Sequence, residues 1–135
     1  MLRSFVTVSV ATTAAMLSAP ALADSRSASV SALVPETCRF VAPALTLDPD
    51  RLSALGMAWE ACNSMRGYRI AANTRALNPD ETVTIAYGAS LMQLDLSGRT
   101  MLMNRRGPSL RQVPIELTAN ALQSPLTISM TMTVI

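Results

Sequence analysis

Leu126-Thr127-Ile128-Ser129-Met130-Thr131-Met132-Thr133-Val134-Ile135 alternates apolar and hydroxyl side chains without a charge, a glycine or a proline. A period of two over this length belongs to a β-strand with one buried and one wet face. It places Leu126, Ile128, Met130, Met132 and Val134 on the buried side. A long uncharged strand is an aggregation hazard while its edge stays open. The stretch therefore predicts a partner for that edge, either another strand of this chain or a strand from elsewhere.

The same period recurs upstream. Ala28, Val30, Ala32 and Val34 share a face, and Pro35 makes that segment an edge strand or a strand with a switch in it. Extended structure resumes over Thr37–Val41, and Asp48-Pro49-Asp50 is a turn. Leu55, Met57, Trp59 and Ala61 alternate up to Cys62 and predict a strand. Tyr68, Ile70 and Ala72 give the next, then Val83, Ile85 and Tyr87, then Met92, Leu94 and Leu96. Ser97-Gly98 predicts a tight hairpin into Met101-Leu102-Met103. Val113, Ile115 and Leu117 follow the Arg105–Pro108 loop, with Pro114 suggesting an edge. Eight or nine short strands with turn signals between them, and no 3.6-residue period, predict an all-β antiparallel sandwich or barrel.

The first residues read differently. Met1-Leu2-Arg3 is a short basic start, Phe5–Leu17 is apolar, and Ala21-Leu22-Ala23 has the small-x-small pattern of a signal-peptidase site. The expectation is a signal peptide over 1–23, cleaved after Ala23, and a single domain over 24–135. The apolar run is shorter than the roughly 20 residues that span a bilayer, so no transmembrane segment is expected after cleavage. Cys38 and Cys62 are the only cysteines. In an exported chain an even pair reads as a disulfide, which would stabilise the fold by about 3 kcal/mol through loop closure. Two free thiols or a two-cysteine metal site are the alternatives.

The chain has 135 residues and a formal net charge of +2, with every basic residue an arginine and no histidine or lysine. So small a charge does not argue for nucleic acid. Without His or Lys there is no Ser-His, Cys-His or Ser-Lys nucleophile, and no catalytic residue is assigned. Asp48 and Asp50 flank a proline and read as turn residues rather than as a general acid and base. Phe40, Trp59, Tyr68 and Tyr87 lie in strand patterns that predict burial, with Trp59 packed in the core against the disulfide. Met101-x-Met103 and Met130-x-Met132 each put two thioethers on one strand face, which could hold Cu(I) or fill the core. The continuity of Met130 and Met132 with Leu126 and Ile128 favours core, so no metal or cofactor is expected. Arg66, Arg69, Arg105, Arg106 and Arg111 form a basic patch only if the fold gathers them.

The residues left over are arranged as Val34-Pro35-x-x-Cys38, Cys62-Asn63-Ser64, Gly67-Tyr68-x-Ile70, Gly88, Leu96-Ser97-Gly98 and the closing strand. This layout resembles the spore coat protein U domain family, which contains archaic chaperone–usher pilin subunits. The resemblance implies an immunoglobulin-like sandwich that lacks its final strand and is completed by a donor strand from another subunit. It implies Ala28, Val30 and Ala32 as donor side chains, within a segment over 24–37. Leu126, Ile128, Met130, Met132 and Val134 would line the acceptor groove, and Cys38–Cys62 would be the family's disulfide. The implied partners are other pilin-like subunits or further copies of itself, a periplasmic chaperone and an outer-membrane usher. The implied route is through the periplasm to the cell surface. The small donor side chains bury little area, so each contact would be weak. The runner-up is a self-complete exported β-sandwich that binds a ligand, followed by a Cu(I)-binding periplasmic protein.

Overall fold

A computed structural model describes residues 29–135. The chain divides into two units at Leu33/Val34. Of the first, only Ser29–Leu33 is described; it carries no strand, and Val30 and Leu33 are more than nine-tenths exposed. The strand expected over 28–34 is therefore absent from its described part, and Ala28 lies outside the described residues.

The second unit consists of two antiparallel sheets, with no helix among the described residues. The strands are β1 (Cys38–Val41), β2 (Leu45–Leu47), β3 (Ser53–Cys62), β4 (Tyr68–Asn73), β5 (Thr82–Tyr87), β6 (Ser90–Gln93), β7 (Arg99–Arg105), β8 (Ser109–Asn120) and β9 (Leu126–Val134). One sheet has the order β1-β3-β8-β5-β6 and the other β2-β9-β4-β7. Ala42-Pro43-Ala44 carries the chain from the first sheet to the second, so β1 pairs with β3 whereas β2 pairs with β9.

The core lies between the sheets and takes Leu47, Tyr68, Ile70, Val83, Ile85, Tyr87, Ile115, Leu117, Leu126 and Ile128, all essentially without solvent contact. Tyr68 and Tyr87 are buried as expected, and Phe40 is half-buried. Trp59 is not: it is 41% exposed, and Leu55 on the same face is 77% exposed. In β3 the inner set is Ala54, Gly56, Ala58, Glu60 and Cys62. Apart from Glu60 and Cys62 the inner set is alanine and glycine, and the outward set carries the large apolar residues. A Cβ on Gly56 would lie 3.1 Å from Leu45 Cδ2 and 3.2 Å from Pro43 Cγ, so the approach of Pro43 and β2 leaves little space for a larger side chain there.

Three other expectations are corrected. Ser97-Gly98 does not join a hairpin, because β6 pairs with β5 and β7 pairs with β4. The turn there, closed by Gly98 N–H to Asp95 O, passes the chain between sheets. The tight hairpin is instead Tyr87-Gly88-Ala89-Ser90. Pro114 is not on an edge, because β8 lies between β3 and β5. The β5 ladder ends at Tyr87–Ile115, and beside the Gly88 turn only the Pro114 carbonyl is used, accepting from Gly88 N–H. The missing N–H therefore breaks no ladder bond of β5. Finally, β7 shifts register between Ile70–Met103 and Ala71–Met101. Leu102 is the extra residue, so Met101 faces out while Met103 turns inward, and the two thioethers do not share a face.

Candidate functional site: the open edge of the last strand

β9 has two neighbours, and they cover it unequally. β4 pairs along Ser129–Val134, whereas β2 pairs on the other side only along Leu126–Ile128. Beyond Ile128 no strand among the described residues lies on that second side.

Backbone parity decides what this edge offers. Ile135 N–H donates to Gly67 O, so the Gly67–Ile135 position is a hydrogen-bonded pair of the β4–β9 ladder. Along an antiparallel pair such positions recur every second residue. Ser129, Thr131 and Thr133 therefore spend their main-chain groups on β4. Met130, Met132 and Val134 aim theirs at the open side. Gly67 holds this register because its backbone, at φ 96°, runs so close to Arg105 that a Cβ would overlap the Arg105 carbonyl.

Beside the open edge lies a cavity of about 330 Å³ lined by Cys38, Phe40, Met130, Thr131, Met132 and Val134. No charged residue lines it. It separates β1, in one sheet, from β9, in the other. Of the expected groove residues, Met130, Met132 and Val134 line this cavity, whereas Leu126 and Ile128 are buried in the core beside β2. Phe40 and Cys38 form the opposite wall. Their alternation in Cys38–Val41 was visible in the sequence, but not their distance from β9.

Cys38 and Cys62 are disulfide-bonded and directly opposite in the β1–β3 ladder. The next position is the hydrogen-bonded one, since Asn63 N–H donates to Thr37 O. The Asn63 carboxamide then acts as a further peptide: Oδ1 accepts from Thr37 N–H at 2.6 Å and Nδ2 donates to Pro35 O at 2.9 Å. Glu36 accepts from Ser64 Oγ and Arg66, each at 3.2 Å. The Cys62-Asn63-Ser64 motif thus clamps Pro35–Thr37 in place.

Two buried carboxylates gave no signal in the sequence: Glu60 lies inside a strand, where a single acid leaves no period, and Glu81 lies in the loop before β5. Glu60, without solvent contact, accepts from Tyr87 Oη and Tyr68 Oη at 2.5 Å each and from Arg105 Nε at 2.9 Å. Burial first, and the Glu60 hydrogen bond second, push both phenols above their ordinary pKa of 10. Glu81 is equally buried. It takes Arg75 Nη1 at 2.7 Å, Arg75 Nη2 at 2.8 Å, and the N–H groups of Asn78 and Gln123 at 2.9 Å each. The Arg75 hydrogen bonds hold its pKa down at about 2. Because Arg75 also donates to Ser124 O and Pro125 O, this pair ties the β4–β5 and β8–β9 loops together.

No protein-family model, curated protein or solved structure matches the chain. Among the described residues no three of His, Cys, Asp or Glu gather as metal ligands, and no helix is long and apolar enough to cross a membrane.

Proposed function

We propose that this chain is the structural subunit of an exported surface fibre or coat, an incomplete immunoglobulin-like sandwich completed by a strand from another subunit. The observation that carries this reading is the edge of β9 over Met130–Val134. It combines outward main-chain groups with inward apolar side chains beside an uncharged cavity. An added strand would satisfy both at once, since strand addition uses main-chain hydrogen bonds for affinity and side-chain pockets for specificity. The strand order, with β2 covering only the first third of β9, is what an immunoglobulin-like sandwich without its last strand would give. The donor is the segment over 24–37 of another copy or of a pilin-like subunit, with Ala28, Val30 and Ala32 as its inserted residues. The resemblance to chaperone–usher subunits supplies the rest of the proposal: a periplasmic chaperone holds the groove first, an outer-membrane usher follows, and the fibre ends at the cell surface.

The parity of β9 gives a selective test. Met132→Pro removes an N–H that faces the open side and leaves the β4 ladder intact, as proline on an edge can. Residues 24–135 should assemble into concentration-dependent oligomers by light scattering, whereas Met132→Pro should stay monomeric with an unchanged far-UV spectrum. Thr131→Pro, which breaks the β4 ladder, should unfold. The reading fails if residues 24–135 form a stable monomer in which the Met130, Met132 and Val134 amides are already protected from hydrogen exchange.

A further inference from the structure

Of the five arginines singled out in the sequence, the fold gathers three. Arg105 ends β7, Arg111 lies early in β8, and Arg106 is in the loop between them. Arg105 and Arg111 together line two neighbouring cavities of about 360 Å³ each, and Arg106 lines one of them.

The placement of Arg105 follows from the bulge at Leu102. Without that extra residue the alternation Thr100, Leu102, Asn104 would turn Asn104 inward and Arg105 out. With it, Met103 and Arg105 point between the sheets. Bulges re-aim side chains in this way next to sites. Arg111 belongs to the inward set of β8, two residues before buried Val113, and pairs directly with Glu60 across β3–β8. The two side chains therefore converge from opposite sheets on one end of the sandwich.

Glu60 fixes one guanidinium without using it up. Arg105 donates to it through Nε alone, at 2.9 Å, and its two Nη groups meet no acceptor among the described residues. Glu60 is itself filled by the two tyrosine hydroxyls as well. Arg106 and Arg111 form no ion pair among the described residues. The cleft is thus positive, with one arginine oriented by a buried carboxylate and the fork of its Nη groups unspent. An arginine fork matches planar oxyanions. Each cavity is far larger than a bare inorganic ion needs, and the lining of the first also includes Ser90, which pairs with the inward Tyr87, together with Met103 and Val113.

We propose that this cleft binds a small organic anion of sugar-acid size, its carboxylate held by Arg105 and Arg111 and its body beside Ser90. The site is separate from the β9 edge and does not depend on strand exchange. The test is a titration of ¹⁵N-labelled residues 24–135 with galacturonate, galactose and inorganic phosphate. Galacturonate should shift the amides of Arg105, Arg111 and Val113 in a saturable way, and galactose should not. Arg111→Gln, which leaves the Glu60–Arg105 pair whole, should weaken galacturonate by about tenfold or more, as loss of a charge-assisted bond does. Arg69→Gln, elsewhere on the surface, should leave it unchanged. The proposal is overturned if galacturonate shifts none of the cleft amides, if Arg111→Gln binds it as well as the parent, or if phosphate binds as tightly as galacturonate.

Discussion

Replacing Glu81 with glutamine tests whether the Arg75–Glu81 pair holds one end of the sandwich. The carboxylate has no exposed surface and receives four donors between 2.7 and 2.9 Å, two of them from one guanidinium. Glutamine fits the space but offers one acceptor oxygen and turns an NH₂ toward groups that are all donors. The folded pKa of Glu81 is lowered from 4.5 to about 2. A depressed folded pKa means that the folded state favours the ionised form, so the stabilisation is complete above the unfolded pKa and lost as pH falls through the folded one. Two and a half pKa units correspond to a ceiling of about 3.4 kcal/mol; with the Arg75 side chain 31% exposed and partly screened, about 2–3 kcal/mol is expected at pH 7. The linkage relation leaves less than about 1 kcal/mol of this at pH 2.5. Urea denaturation of parent and Glu81→Gln at pH 7, 3.5 and 2.5, with the disulfide intact, measures the difference directly. The gap between the two proteins should close as pH falls. A gap under about 0.5 kcal/mol at pH 7, or one that stays constant down to pH 2.5, would refute the argument.

Two further outcomes follow from the same interior. Both buried phenols have raised pKa values, so their contribution to stability is present below pH 10 and is lost as pH rises beyond it. Phenolate absorbance should therefore rise only together with loss of the far-UV strand signal, and phenolate forming in a still-folded protein would contradict the burial. Trp59, the only tryptophan, faces outward on β3, so acrylamide should quench its fluorescence readily in the folded state and urea should add little. Strong protection before unfolding would place it in the core after all.

The alternation of β9 was legible because its signal is local: Leu126 and Ile128 are buried and Met130 and Met132 half-buried, in the order the period requires. The β4 and β5 apolar sets were legible for the same reason. What failed was anything decided by a neighbouring strand. In β3 the period was right and the face was wrong, because Leu45 and Pro43 pack closely over the inner face at Gly56, and their proximity is not written near Gly56. Leu102 looks like any other strand residue, so the bulge that separates Met101 from Met103 could not be seen. Pro114 was placed on an edge by a sound rule, and it occupies a central strand because the adjoining ladder happens to end there. Glu60 breaks the expected polarity of an inner face, and only the distant Tyr68, Tyr87 and Arg105 make that tolerable.

The open edge also depends on a covalent bond outside β9. If the β2–β9 register continued backward along the chain, Val41 would stand opposite Met132 and the edge would be closed from within. β1 does not take that path. It runs in the other sheet, with Val41 opposite Trp59 and Cys38 bonded to Cys62. The disulfide makes the choice irreversible under oxidising conditions, and the Asn63 carboxamide extends it through Thr37 to Pro35. Three residues, Met130, Met132 and Val134, then each present an N–H, a C=O and an apolar side chain to the same gap, which is the gap the proposed donor strand would fill. Any strand that enters satisfies all three kinds of group together, whereas a ligand without a peptide backbone would leave the main-chain groups unmet. The same alternation that marked Leu126–Ile135 as a strand therefore also suits the proposed donor, an extended polypeptide with small or apolar side chains at every second position.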